Sequence, residues 1–310
     1  MTFVSKHAYL IMAHDNPSIL EKLLYLLDDY RHDIYLHIDL RSKKIQSVPK
    51  MKESKLTIID SKPVFWADYS QVDTTFRLLK SAVTSGYSYY HLLSGVDLPL
   101  KTNDVRYQFF ENSQRNFIGI VPHESWYSVR RVKYYHPFLH NRFYRTSRLM
   151  KGTDRLLEYG QRIVGVNRLK GVTWKIIDGW TWFSIRRTLC QALIKAEDEI
   201  RQVFQSTIAS DELFIHTFVY NQQQFRETLY DESDLKNGSM RYIDWHRGRP
   251  YIFGGSETEN DYQLLMNSPY MFARKFSEDK SSELVERIYN RIMQEQQMNE
   301  KHNPNGFIEQ

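Results

Sequence analysis

The sequence predicts an α/β fold with a mostly parallel sheet, and three observations point there. Short apolar runs alternate with amphipathic stretches of roughly 10–15 residues over the first 120 positions, the signature of βαβ units. Those runs end in small or polar residues, as strands do at the ligand-facing edge of such sheets. The composition is that of a globular protein with an aromatic excess: 41% hydrophobic, 14% aromatic and 25% charged residues.

Taken in order, His7–His14 reads as a buried strand, followed by Pro17 and a helix from Ser18 to Tyr30. Asp33–Asp39 and Leu56–Asp60 read as further strands, and Asp68–Thr84 has helical spacing through Val72, Phe76, Leu79 and Val83. A strand at Ser88–Ser94, a helix capped by Thr102 or Asn103, and a strand at Phe117–Val121 complete this half. Residues 122–175 lose the alternation and read as basic, aromatic and loop-like. Order returns with a strand at Gly179–Ile185, a helix from Arg186, a helix carrying Ser210-Asp211-Glu212, and a strand at Arg241–Trp245. The last helix is Ser281–Gln297, and residues 298–310 read as a flexible polar tail. Residues 1–297 thus form one domain with a basic insertion.

Cys190 is the only cysteine, which excludes an intramolecular disulfide and a multi-cysteine zinc site, and suits a reducing cytoplasm. Met1–Lys6 lacks the apolar core of a signal peptide, and no apolar run reaches the roughly 18 residues of a bilayer span. The net charge of +5 is unevenly spread: Val129–Lys175 holds twelve basic and two acidic residues, and the rest of the chain is net acidic. Charge alone would admit nucleic acid, but no recognised binding module is present.

Metal sites are disfavoured. Only His136 and His140 have H-x-x-x-H spacing, Pro137 follows the first, and cations crowd the segment. There is no acidic metal triplet after a strand and no Gly-rich phosphate loop, so phosphate would have to be met by Arg, Lys or helix N-termini. Arg247-Gly248-Arg249 is either a solvated turn or such a site; Lys275, between Phe272 and Phe276, either snorkels over the core or binds an anion. Asp211 and Glu212 suit the first turn of a helix capped by Ser210, and equally a general base. At the strand ends stand His14, Asp39 and the run Ser94–Thr102, where Gly95 would let a ligand approach the backbone.

These pieces resemble one family. AYLIMAHDNP, IYLHIDLRS, WADYS at Trp66–Ser70, YYHLLSGVDLPLKT, GWTWFSIRR, SDELFIHT, YIDW and YIFGG…FARKF occur in the order found in the core-2/I-branching N-acetylglucosaminyltransferases and their peptide xylosyltransferase relatives, glycosyltransferase family 14. The resemblance implies a GT-A-type fold and an inverting, metal-independent transfer from a UDP-sugar to a hydroxyl, with no cofactor. It implies Glu212 as base, Lys275 and Arg249 (or Arg247) at the phosphates, Asp39 on the uridine side and Trp245 with the acceptor. Of the strand-end residues, His14 is placed with the donor, and Asp97 and Lys101 with the acceptor. The animal members carry a membrane anchor and disulfides that this chain lacks, which fits a bacterial cytoplasmic enzyme of surface-polysaccharide synthesis. Its first donor would be UDP-GlcNAc, with xylose or another hexose next; a silent saccharide-binding protein is the alternative.

Residues 129–175 have no aligned counterpart in that family. They read as a solvated excursion, as an acceptor-binding element for an acidic polymer, or as a peripheral membrane contact near lipid-linked acceptors. For the last, Leu156, Leu157, Tyr159, Ile163 and Val164 among Arg155, Arg162, Arg168 and Lys170 suit an interfacial helix.

Overall fold

The computed structural model describes residues 5–231, 234 and 236–302. Strand β1 (His7–Ala13) leads through α1 (Pro17–Leu27) to β2 (His32–Ile38), then β3 (Lys55–Ile58), α2 (Ser70–Val83), β4 (Tyr89–Ser94), the two-residue β5 (Leu98–Pro99), α3 (Asn103–Ser113) and β6 (Phe117–Ile120). Two helices, α4 (Trp126–Lys133) and α5 (Arg148–Ile163), precede β7 (Gly179–Arg186), α6 (Arg187–Lys195) and α7 (Glu197–Phe204). A 3-10 turn at Ser210–Glu212 enters α8 (Phe214–Tyr220); α9 (Gln223–Arg226), β8 (Arg241–Ile243), α10 (Thr258–Met266), β9 (Phe272–Arg274) and α11 (Glu278–His302) follow.

The main sheet has the order β3-β2-β1-β4-β7-β6. Its β1–β2, β1–β4 and β2–β3 ladders are parallel, whereas β7 runs antiparallel to both β4 and β6. Strand β1 shows why: both faces are buried, Ala8 and Leu10 in one hydrophobic cluster, Tyr9, Ile11 and Ala13 in the other. Helices α2, α6, α7 and α8 cover the first face, and α1, α3 and α11 the second. A second sheet, β5-β9-β8, lies in the latter layer through Leu98, Phe272 and Ala273. The arrangement is consistent with the GT-A-like fold that the resemblance implies.

Several expectations are corrected. The segment 122–175 is not loop-like: it carries α4 and α5, whose N-caps Ser125 and Ser147 accept from the amides of Ser128 and Met150. Ser210 caps no α-helix; it lies inside the 3-10 turn, which starts from Ala209 in the left-handed region at φ 52°. The last helix begins at Glu278 and runs to His302, so the polar tail is helical over its first residues, and 303–310 lie outside the described residues. Thr102, not Asn103, is the N-cap of α3.

The end of the sheet around the β1 and β4 N-termini is built on buried histidines. His7 Nε2 meets Glu111 Oε1 at 2.9 Å, His91 Nε2 meets His7 Nδ1 at 3.1 Å, and His91 Nδ1 meets Ser184 Oγ at 2.7 Å. Burial lowers the pKa of His7 and His91, and brings His32 to about 3 and His37 and His216 to about 4. Each must bind a proton on unfolding in acid, so below pH about 6.5 the unfolded chain binds more protons and stability falls, by up to about 1.4 kcal/mol per pH unit for each group. Urea unfolding midpoints should therefore drop steeply between pH 7 and 5; a flat profile over that range would contradict these neutral, buried rings.

Candidate active site

The carboxyl ends of β1, β2 and β4 open at one edge of the sheet. Asn16, after β1, takes a left-handed conformation at φ 61° and precedes α1, and its Oδ1 accepts from the Glu278 amide at 2.9 Å. Glu278 returns the contact by accepting from Ser18 N at 2.6 Å, which locks the starts of α1 and α11 together. His14 is exposed beside Asp15; desolvation lowers its pKa, with the charges of Lys275 and Arg145 adding to that effect. Asp39, at the end of β2, is buried and already engaged. It accepts from Arg41 N at 2.9 Å, Arg41 Nη2 at 2.7 Å and Val64 N at 3.3 Å, holding Arg41 over the Phe65 ring.

The Ser94–Asp97 turn is structural throughout. Asp97 Oδ2 accepts from Ser94 N at 2.8 Å and Oδ1 from Arg274 at 2.9 Å; the carboxyl is 2% exposed, and burial raises its pKa against the pull of Arg274. A Cβ on Gly95 would lie 2.9 Å from the Ala13 Cβ, so the missing side chain lets the end of β4 pack on β1. Lys101 donates to the Met266 carbonyl at 3.1 Å, and burial and then Arg291 lower its pKa. Asp97 and Lys101, expected with the acceptor, here hold the loop between β4 and α3 through Ser94, Arg274 and Met266.

The cations facing the edge come from two directions. Arg274, clamped by Asp97, lies over the Trp182 ring at 4.5 Å. Lys275 follows it and, among the described residues, makes no ion pair. Burial lowers its pKa, and Arg274 and Arg145 push the same way against Asp97 and Asp15. Arg247 is spent on structure: Nε donates to Asp244 at 2.6 Å, Nη1 to buried Asp261 at 2.8 Å, and the guanidinium covers the Tyr251 ring. Arg249 is exposed and, among the described residues, unpaired. Its loop runs beside Lys275, whose carbonyl accepts from Phe253 N at 3.1 Å. Trp245, 41% exposed, stacks on Trp180 of β7 at 5.0 Å and 23°.

Asp211 and Glu212 are adjacent in sequence and opposite in environment. Asp211 is buried, its Oδ2 accepts from Thr181 at 2.9 Å, and its Oδ1 has no partner. Burial and then the Glu212 charge push its pKa up to about 7. Glu212 is 43% exposed at its side chain; Oε2 accepts from Arg131 Nη1 at 2.6 Å, while Oε1 is unengaged among the described residues. Arg131 is buried, reaches Asp178 at 3.5 Å, and belongs to α4 of the basic segment. Sequence reasoning missed it, because nothing local sets it apart from the other cations there.

His136 and His140 do not converge on a metal: His136 pairs with Asp154 at 2.8 Å, and His140 with Asp68 at 3.3 Å against the Phe65 ring. Among the described residues no three His, Cys, Asp or Glu side chains are grouped to hold one.

The Asp211 carboxyl carries a testable consequence. Its folded pKa lies above the ordinary 3.8, so between about pH 4 and 7 the folded chain binds the extra proton, and stability is lost as pH rises through that window. Asp211→Asn should remove the loss, which amounts to at most about 4 kcal/mol. Wild type and variant should have similar Tm near pH 4 and diverge progressively to pH 8, the variant being the more stable. Parallel Tm curves would contradict the protonated, buried carboxyl.

Among curated proteins none matches the chain. The family described as Core-2/I-Branching enzyme matches residues 7–298, nearly the whole length. The chain therefore belongs to the core-2/I-branching glycosyltransferase family.

Proposed function

We propose that this glycosyltransferase is inverting and metal-independent, and moves a sugar, GlcNAc first, from its UDP conjugate to a hydroxyl of a saccharide acceptor. The observation that carries the reading is the state of Glu212: one carboxylate oxygen is fixed by Arg131 and the other is exposed and unengaged. In this reading Oε1 removes the acceptor proton as the hydroxyl oxygen bonds to the anomeric carbon. The bond from that carbon to the diphosphate breaks on the opposite face, and the configuration inverts. Negative charge then grows on the leaving UDP.

Lys275 and Arg249 are the cations that meet it, being unpaired among the described residues, whereas Arg247 is held by two carboxylates. Crowding of Lys275 by Arg274 and Arg145 favours an anion beside it. Asp39 serves the uridine side by holding Arg41 and the Val64 amide, His14 borders the donor, and the Trp180–Trp245 stack offers an apolar plate to the acceptor sugar. The chain would work in the cytoplasm, on lipid-linked acceptors of a surface polysaccharide. Among the described residues no helix is long and apolar enough to cross a membrane.

Glu212→Gln should lower turnover by about 10²–10⁴-fold while leaving UDP affinity within a factor of about two. Unchanged turnover would remove Glu212 from the chemistry. Lys275→Ala and Arg249→Ala should each weaken UDP binding and turnover together, while Arg247→Ala should act mainly through a lower Tm. Arg131→Gln should reduce kcat by about tenfold or more with KM for the donor nearly unchanged, since it aims the carboxylate and is not assigned to UDP. A thermal-shift panel of UDP-sugars identifies the donor by the largest rise in Tm.

A further inference from the structure

Helix α5 is amphipathic in the wrong sense for a soluble protein. Its buried face is polar: Asp154 takes His136 and the Tyr144 hydroxyl, Glu158 takes Arg130 at 2.5 Å, and Gln161 pairs with the Tyr135 backbone. Its outward face is apolar. Leu149, Leu156 and Ile163 are spaced seven apart on one stripe and are 80%, 70% and 70% exposed, with Tyr159 beside them. Gly152 and Gly160 fall on the same stripe, and an added Cβ at either would meet nothing within 4 Å, so none of the described residues covers it there. Arg148 and Arg155 flank the stripe on one side and are exposed, while the only two acids of the helix are those turned inward and paired. The exposed surface of α5 is thus apolar and cationic with no exposed carboxylate.

We propose that this face docks the protein on an anionic lipid surface, the stripe entering the headgroup–acyl boundary and the arginines meeting lipid phosphates. Charge selects this occupant. A second copy would bring the same face, which has no exposed carboxylate to pair with the arginines, and a neutral apolar partner would leave them unmatched. Among the described residues none of the stripe is hydrogen-bonded or ion-paired to Glu212 or Lys275, and the inference stands independently of the transfer chemistry.

Sedimentation of the full chain with vesicles tests it. Vesicles of equal parts phosphatidylcholine and phosphatidylglycerol should bring the protein down at low salt, pure phosphatidylcholine should not, and added salt should release it. The double variant Leu156→Gln/Ile163→Gln should bind more than about tenfold more weakly, without a change in Tm, because both side chains are already in water. Arg148→Gln/Arg155→Gln should lose the preference for anionic lipid, and Ile58→Gln, an exposed apolar site on the edge strand β3, should change nothing. Failure to sediment with the anionic vesicles overturns the proposal, as does equal binding by the Leu156/Ile163 variant. A wild-type dimer in solution that this variant turns into a monomer would assign the face to a second copy and likewise overturn it.

Discussion

The place where the main sheet opens is held by one guanidinium. The β4–β7 ladder pairs Tyr89 through His91 with Arg186 through Ser184 and then stops, leaving the carbonyls of Leu92 and Phe183 beyond the split. Arg241, buried at the start of β8, donates to Phe183 O at 2.5 Å, to Leu92 O at 3.3 Å and to Ser184 Oγ at 3.0 Å. An orphaned buried carbonyl would cost about 1–3 kcal/mol, so the small sheet is joined to the large one by satisfying what the strand divergence exposes. Burial lowers the Arg241 pKa to about 9, with Asp97 opposing. Asp97 in turn fixes Arg274, and Arg274 sets the backbone that carries Lys275. The backbone that carries Lys275 is thus tied to a break in the sheet.

Electrostatically, the site is where two differently charged parts of the chain meet. The catalytic layer is net acidic and keeps few free cations at the strand ends, Lys275 and Arg249 among them. The basic segment, which by composition belongs to the periphery, sends Arg131 to Glu212 and Arg145 toward Lys275 and His14. The first contact joins a buried guanidinium, 5% exposed, to a carboxylate that stays 43% exposed, so solvent screens it on the Glu212 side. The net charge of the chain therefore belongs in part to the site.

Much of this was legible from local pattern. Strands β1, β2 and β4 are continuous apolar runs because both faces of a parallel sheet are covered, and their ends located the strand-end residues within a position or two. Strands β5 and β9 have two and three residues and exist only through each other and β8, so no periodicity could announce them. The SDE turn read as a helix start because an acid pair after serine is a capping signature; the left-handed Ala209 that converts it to a 3-10 turn has no sequence mark. Arg247 and Arg249 are indistinguishable in a line of text. They separate only when Asp244 and Asp261, which are three and fourteen residues away, are seen to claim the first. Helix α5 escaped as an element of the fold because its periodic apolar residues point outward while the residues that seat it are charged.

That inverted helix bears on how the enzyme is held together. Glu158 of α5 is joined to Arg130 of α4, and the next residue, Arg131, holds Glu212. Asp154 and Glu158 seat the helix through His136, Tyr144 and Arg130, and such buried pairs repay their desolvation only when geometry is tight. These buried pairs fix the orientation of an apolar, cationic face relative to the Arg131–Glu212 pair.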